Sequence, residues 1–186
     1  MPKVIDDKDV FLAAINVLSV CGYESATTQK IADAAGIHEA TLFRKYESKF
    51  NLIEQAIKAL FMDVPLAKVA YTGNLQADLL SIIEAYHKTG ELVGNILPIL
   101  IIEIPRNPEL KDLLEIPWKN ISRVTSILEK YQAQHLLKQE PILNSISVLL
   151  GPLMVRHLIK ETNPDLPIPP IERQVYVEMF LSGHRT

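Results

Sequence analysis

Apolar residues recur at helical spacing along almost the whole chain. In the first stretch, apolar side chains follow an i, i+3, i+4, i+7 pattern, which places them on one face of an α-helix. No segment shows sustained alternation of apolar and polar residues, and no Asn-Gly or Asp-Gly hairpin signal occurs. The pattern predicts an all-α protein with about nine to ten helices.

The N-terminal region is predicted to form one helix followed by two short helices. Gly22 ends the first helix. Residues 27–35 form a short helix that buries Ile31 and Ala34, and Thr27 at its start is a good N-cap. After a tight turn, residues 39–46 form a second short helix. Two short helices joined in this way are typical of a helix-turn-helix, whose second helix can enter the major groove of DNA.

Longer helices are predicted after residue 48. The connecting helix that begins at Ser48 carries a continuous apolar stripe, and Pro65 interrupts it. Gly90 is predicted to separate two later helices, because glycine is a poor helix former. The proline-rich stretch 162–170 is predicted to be an extended loop. The remaining helices are expected near residues 74–88, 91–103, 108–114, 117–138, 141–160 and 170–182.

Composition and charge narrow the possible classes of protein. A chain that is 48% hydrophobic and 22% charged is not disordered. With 19 basic against 22 acidic side chains the net charge is -3, so any contact with nucleic acid must use a local surface. The acidic N-terminus and the single cysteine favour a cytoplasmic protein. The longest uncharged stretch, residues 141–155, is shorter than the ~18–20 residues that span a bilayer, so no membrane partner is expected.

Motifs of known enzyme classes are missing from the sequence. The chain lacks the His-Glu-x-x-His, Gly-x-Ser-x-Gly, Walker and dinucleotide-binding glycine patterns. Its five histidines are scattered, and its single cysteine cannot form a thiolate metal site. The sequence therefore predicts a protein that is not an enzyme and that needs no metal or cofactor.

Several short motifs fall in one ungapped order in the N-terminal region. They are Gly22-Tyr23, Thr27-Thr28, Ile31-Ala32, Ala35-Gly36-Ile37, Ala40-Thr41-Leu42-Phe43 and Tyr46-Glu47-Ser48-Lys49. Together they resemble the DNA-binding signature of the TetR/AcrR family of transcriptional regulators. The resemblance implies a helix-turn-helix domain over residues 1–48, with the start of a connecting helix over 48–64. It also implies a larger ligand-binding and dimerisation domain over residues 65–186.

The resemblance implies a ligand-responsive regulator, most often a repressor, that binds a palindromic operator in double-stranded DNA. Residues 1–50 hold six basic and seven acidic side chains, so one subunit is expected to bind DNA weakly. A homodimer that contacts two half-sites at once supplies the missing affinity. The alternative is a helical ligand-binding or protein-interaction module that has kept the fold but does not read DNA.

Residues at the starts and on the outward sides of the short helices are candidates for contact with DNA. Thr28 and Lys49 lie at helix N-termini, which attract phosphate oxygens, and the matching family positions imply the same role. Arg44 is expected to face base edges and Lys45 the backbone. The full set is Thr28, Gln29, His38, Glu39, Ala40, Thr41, Phe43, Arg44, Lys45 and Lys49. Each basic member could instead be a solvated surface charge, and Thr28 a simple helix cap.

This sequence departs from the usual family pattern at three of these positions. Phe43 stands where tyrosine is common, so a phenolic hydroxyl is lost as a phosphate contact. His38 replaces a common serine and is a poorer helix cap. Ala40 replaces a frequent glycine and can contact a thymine methyl group.

Two C-terminal helices carry more apolar surface than one core contact requires. The helix at 141–160 has a wide apolar face, and the helix at 170–182 has apolar residues on two sides. Both are predicted to pack in a symmetric four-helix interface, as the resemblance implies. The predicted interface residues are Ile146, Leu150, Met154, Val175 and Phe180. The alternative is that both helices lie inside a monomer.

The helices between these regions are interrupted by prolines, which leaves room for a cavity. Family members usually hold a small-molecule effector there. Because residues 96–102 offer no polar side chain, the effector is expected to be mostly apolar. The predicted pocket residues are Phe61, Tyr86, His87, Ile101 and Trp118. The alternative assigns these residues to an ordinary core.

Overall fold

The computed structural model of the protein describes residues 6–186 and contains nine α-helices in that range. The first five residues of the predicted N-terminal domain lie outside the described part. The helices are α1 (Asp7–Ser25), α2 (Thr28–Ala35), α3 (Glu39–Tyr46), α4 (Lys49–Met62), α5 (Leu75–Val93), α6 (Ile96–Glu103), α7 (Glu115–Ala133), α8 (Ile142–Thr162) and α9 (Arg173–His184). Short 3-10 helices cover Pro65–Lys68 and Pro108–Leu114. The prediction of an all-α protein is confirmed.

One compact unit joins residues 6–62 to residues 93–116. α1 is central to this unit because it packs against α2, α4 and α6. The core that α1 shares with the short helices consists of Val10, Ala14, Ile31, Ala32, Leu42, Tyr46, Leu52 and Ala56. By packing, residues 93–116 therefore belong with the N-terminal helices, whereas the functional division near residues 48–65 stays a prediction.

The other compact unit contains residues 63–92 and 117–186. A buried polar network fixes α7 in this unit. The Tyr131 hydroxyl donates to the Asp78 carboxylate on α5, and the same carboxylate accepts the Thr72 backbone N–H at 2.8 Å. The C-terminus is tied to the loop after α7, because the Lys138 N–H donates to the His184 carbonyl at 2.8 Å.

The structure agrees with the prediction for Gly22 and differs from the predictions for Gly90, Ala34 and residues 108–114. Gly22 breaks α1 as predicted, since its backbone (φ 74°, ψ 174°) is not helical. Gly90 does not separate two helices: it lies inside α5, where its open side faces the ring of His157, and helix interiors tolerate glycine at a cost of ~1 kcal/mol. Ala34 is exposed and Ala32 is buried in its place. Residues 108–114 form a 3-10 helix rather than an α-helix.

Candidate nucleic-acid interface

The short helix α2 is fixed at both ends. The Thr27 hydroxyl accepts a hydrogen bond from the Lys30 backbone N–H at 3.2 Å, which caps the N-terminus. Gly36 ends the helix in the left-handed conformation (φ 65°), and its N–H donates to the Asp33 carbonyl at 3.1 Å. The predicted tight turn is therefore present, and it leads directly into α3.

The helix α3 has a buried side and an exposed side. Leu42 and Tyr46 are buried in the core, as predicted, while Phe43 and Arg44 are exposed. His38 occupies the N-cap position without a capping side-chain hydrogen bond, so the histidine at this position leaves the first turn uncapped. The exposed side of α3 is the surface that the sequence predicts to face DNA.

A side-chain hydrogen bond connects the two short helices. The Thr28 hydroxyl donates to the Glu39 carboxylate at 2.5 Å, although both residues were predicted to contact DNA. Gln29, a third predicted contact, donates to Asp33 at 2.7 Å one turn further along α2. These side chains therefore have intramolecular partners.

Asp7 holds α3 against the start of α1. Its carboxylate accepts the Tyr46 hydroxyl and lies 2.5 Å from the Lys45 ammonium group. The hydrogen bond from Lys45, followed by that from Tyr46, lowers the pKa of Asp7. Sequence reasoning did not identify Asp7, because it is 39 residues away from Tyr46 and belongs to no short motif.

Lys49 is engaged by the protein itself. Its ammonium group donates to the Tyr23 carbonyl at 2.8 Å and lies 4.1 Å from the centre of the Tyr23 ring. Burial lowers the pKa of Lys49, and the nearby carboxylates of Glu24, Glu103 and Glu109 oppose this effect. The amine therefore links the start of α4 to α1, and its phosphate contact stays a prediction.

Arg44, which is predicted to face base edges, has an exposed side chain without a polar partner among residues 6–186. Its guanidinium group makes no hydrogen bond or ion pair with any residue in the range 6–186. Phe43, beside it, leaves 52% of its surface exposed. Ala40 and His38 are also exposed, whereas Thr41 is half-buried. The exposed side of α3 thus combines a free cation with apolar surface.

The residues predicted to line an effector pocket fall in both units. Phe61, in the first unit, is buried, and Ile101 is exposed. In the second unit Tyr86 is half-buried, and this burial raises the pKa of its phenol to about 12. His87 and Trp118 are exposed. The pocket stays a prediction. Among residues 6–186 no group of three or more metal-binding side chains occurs.

The predicted dimer residues also differ in their exposure. Ile146, Leu150 and Phe180 are buried within their own chain, so little of their surface is left for a partner. Met154 and Val175 are exposed. Further exposed apolar residues on α8 and α9 are Leu143, Val148, Val155, Ile159 and Met179, of which the sequence pattern places Leu143 and Met179 on apolar faces. The interface stays a prediction, and the surface available to it consists of these exposed residues.

Part of the chain matches a known family. Residues 11–56 match the model of the bacterial regulatory proteins of the tetR family. An HTH-type transcriptional regulator of Mycobacterium tuberculosis H37Rv is 30% identical over 59% of this chain and 53% of the relative. YvkB, an HTH-type transcriptional regulator of Bacillus subtilis, is 33% identical over 41% of this chain and 40% of the relative. The chain thus spans about half the length, or less, of the curated relatives it matches.

Solved structures share the fold over nearly the whole chain. The TetR-family transcriptional regulator PfmR of Thermus thermophilus superimposes with a TM-score of 0.67 at 20% identity, over 93% of this chain and 97% of that one. A transcriptional regulator of Rhodococcus gives a TM-score of 0.71 at 16% identity, over 96% and 97%. Residues 11–56 therefore match the tetR-family DNA-binding domain, and the chain shares its fold with solved regulators of the TetR family.

Proposed function

We propose that this regulator is a cytoplasmic repressor that binds a palindromic operator as a homodimer and that a small, mostly apolar effector releases it. The exposed side of α3 carries the proposal. There Arg44 is free of intramolecular partners within the described residues, while Leu42 and Tyr46 anchor the same helix in the core. A recognition helix needs this combination, because its side chains must reach base edges from a fixed position.

The intramolecular bonds around α3 support a preorganised DNA surface. Lys45 is held by Asp7, and Thr28 is held by Glu39. Each bond is at least partly exposed, so a phosphate oxygen can replace the carboxylate partner of Lys45 or Thr28 when DNA binds. Arg44 can then donate to guanine O6 and N7, which is the commonest specific protein contact in the major groove.

Exposed apolar residues on α8 and α9 support the homodimer. α8 is long enough and apolar enough to span a membrane, yet only 28% of its most apolar 18-residue segment is buried. An exposed apolar surface of this kind is typical of an interaction site, and a second copy of the chain can bury it with the same residues across a two-fold axis. A dimer also places two α3 helices on one DNA duplex, which compensates for the net negative charge of each subunit.

The packing of α6 supports a response to an effector. α6 contains the apolar segment 96–102 and packs against α1, the central helix of the unit that carries α3. A ligand that displaces α6 therefore acts on the helix to which Asp7 fastens α3. Because linkage is reciprocal, an effector that weakens DNA binding must itself bind less tightly to the DNA complex.

The test starts with selection of bound fragments from the host genome by the full chain. A gel shift on the selected fragment is then compared for the wild type, Arg44→Ala and the control Arg106→Ala, which removes an exposed arginine of the same unit outside α3. We expect Arg44→Ala to weaken specific binding by ~1–3 kcal/mol, with wild-type helical content by circular dichroism. Binding should also fall steeply as salt rises.

The outcome also separates the regulator from the alternative module. If no fragment is enriched, or if Arg44→Ala and Arg106→Ala bind equally well, α3 does not read DNA and the chain is better described as a ligand-binding or interaction module. Compounds that raise the melting temperature are then screened for release of the fragment. A set of stabilising compounds that leaves DNA affinity unchanged would contradict the effector part of the proposal.

A further inference from the structure

A groove in the second unit is lined on one side by basic residues of α7. Lys119, Arg123 and Lys130 all face this groove, which has a volume of about 360 Å³. Their spacing of four and seven residues places them along one side of the helix. We propose that the groove binds a small phosphate-bearing anion, a function independent of DNA binding and of the predicted apolar effector.

The three cations have no acidic partners. None of them forms an ion pair with a carboxylate among residues 6–186, and no aspartate or glutamate lines the groove. Two other helical lysines, by contrast, are neutralised: Lys58 lies 2.8 Å from Glu54, and Lys88 lies 2.7 Å from Glu84. Because like charges four residues apart repel each other, an anion between the cations of α7 stabilises the helix.

Hydroxyl groups complete a set of donors suited to phosphate oxygens. The Ser126 hydroxyl has no hydrogen-bond partner in the described part of the chain. The Tyr71 hydroxyl accepts a hydrogen bond from the Gln134 amide at 2.6 Å, which leaves its own O–H free to donate. The groove therefore combines charged and neutral donors. Hydrogen bonds from these donors to a phosphate are charge-assisted, which makes them stronger than hydrogen bonds between neutral groups.

The aromatic wall of the groove is held in place. The Tyr71 ring lies 5.0 Å from the ring of buried Tyr131, and Tyr131 donates to buried Asp78. The Lys130 ammonium group lies 4.9 Å from the centre of the Tyr71 ring, so one cation is already positioned over the wall. The groove is open to solvent, and its fixed wall suits a small anion held at the surface by the surrounding donors.

Titration calorimetry of the full chain with inorganic pyrophosphate at constant ionic strength tests the proposal. We expect saturable binding to the wild type. Arg123→Gln combined with Lys130→Gln should weaken binding by about tenfold or more, since two charge-assisted contacts are lost. The control combines Lys111→Gln with Lys160→Gln, which removes two exposed lysines outside the groove, and it should bind as the wild type does. Tyr71→Phe keeps the ring and should give a smaller loss.

Four results would overturn the proposal. The first is the absence of saturable binding to the wild type, and the second is an equal loss in the control pair. The third is citrate binding as tightly as pyrophosphate, because the site would then recognise charge rather than phosphate. The fourth is a loss of duplex DNA binding in the Arg123→Gln, Lys130→Gln variant, which would assign the groove to the DNA surface. The unliganded variants must match the wild type in melting temperature, and if the double variant does not fold, Tyr71→Phe carries the test.

Discussion

α3 and α8 both bury apolar residues at helical spacing, but they expose different kinds of residue to solvent. α3 buries Leu42 and α8 buries Leu149, each at a helical period from its buried neighbours. On the outside, however, α3 presents Arg44 and α8 presents Val155. Periodicity therefore decides which residues of a helix are buried, whereas the chemistry of the exposed residues decides the class of partner.

The exposed side chains of the two helices are also held differently. On α3, Lys45 is fixed by Asp7, and Glu39 is fixed by Thr28. No comparable bond is needed for the exposed side chains of α8, because association of apolar surfaces is not directional. Polar recognition requires side chains to be held in a fixed orientation, whereas association of apolar surfaces requires only complementary area.

The largest effect is expected from removal of a buried leucine, which both helices contain. Leu42→Ala and Leu149→Ala each remove a side chain that is at most 1% exposed, so each should destabilise its unit by ~2–5 kcal/mol. Urea denaturation followed by circular dichroism measures the loss. If only one of the two variants is destabilised, the common internal rule fails for the other helix.

A charged residue on the outer side of α8 tests whether its exposed apolar surface binds a second copy of the chain. Val155→Glu should dissociate the dimer, because the carboxylate would have to be buried, and affinity for a palindromic operator should fall by about 10²–10⁴ as avidity is lost. Light scattering measures the mass. The control Leu166→Glu alters a residue of similar exposure, 46% against 50%, in the loop before α9. A variant that keeps the wild-type mass would remove Val155 from the interface.

A smaller effect is expected from the bond between the short helices. Thr28→Val keeps the shape of the side chain but removes the donor to Glu39, which should cost ~1 kcal/mol of stability. Glu39→Gln retains an acceptor and should cost less. Melting curves of the two variants measure the difference. Equal curves for Thr28→Val and the wild type would mean that this bond does not stabilise the helix-turn-helix.

The smallest effect is a dependence on pH. The pKa of Asp7 is lower in the folded chain than in the unfolded chain, so its stabilising contribution is complete above the unfolded value of about 3.9 and is lost as pH falls through the folded value. Because the ion pair is partly exposed, the contribution is ~1 kcal/mol or less. Asp7→Asn should lower the melting temperature at pH 6, and the difference from the wild type should shrink as the pH is lowered below about 3.9. A difference that stays constant as the pH falls would contradict the assignment.

The parts of the fold that sequence predicted are those set by local rules. Thr27 and Gly36 bound α2 as expected, because N-capping and left-handed C-capping depend on neighbouring residues. Gly90 was predicted wrongly, because a single glycine inside a helix costs only ~1 kcal/mol and therefore does not by itself end α5.

The sequence predicted which side of α3 is exposed but not the intramolecular contacts of its side chains, and the DNA contacts stay a prediction. Arg44 and Phe43 are exposed on α3, in agreement with the motif. The partners of Lys45 and Lys49, which are Asp7 and Tyr23, could not be found from sequence, since they lie on another helix at long separation in the chain. Burial of Phe180 in its own core was missed for the same reason.

Gly22 sets a limit on mutational tolerance. Its backbone, at φ 74° and ψ 174°, lies in a region open essentially to glycine alone, and any side chain there costs ~1–3 kcal/mol in backbone strain. A β-carbon would also come within 2.9 Å of the Glu103 carboxylate, although that flexible group can move aside. In a library of single substitutions, position 22 should therefore be depleted of every alternative residue, even though the glycine is only half-buried and makes no contact through a side chain of its own.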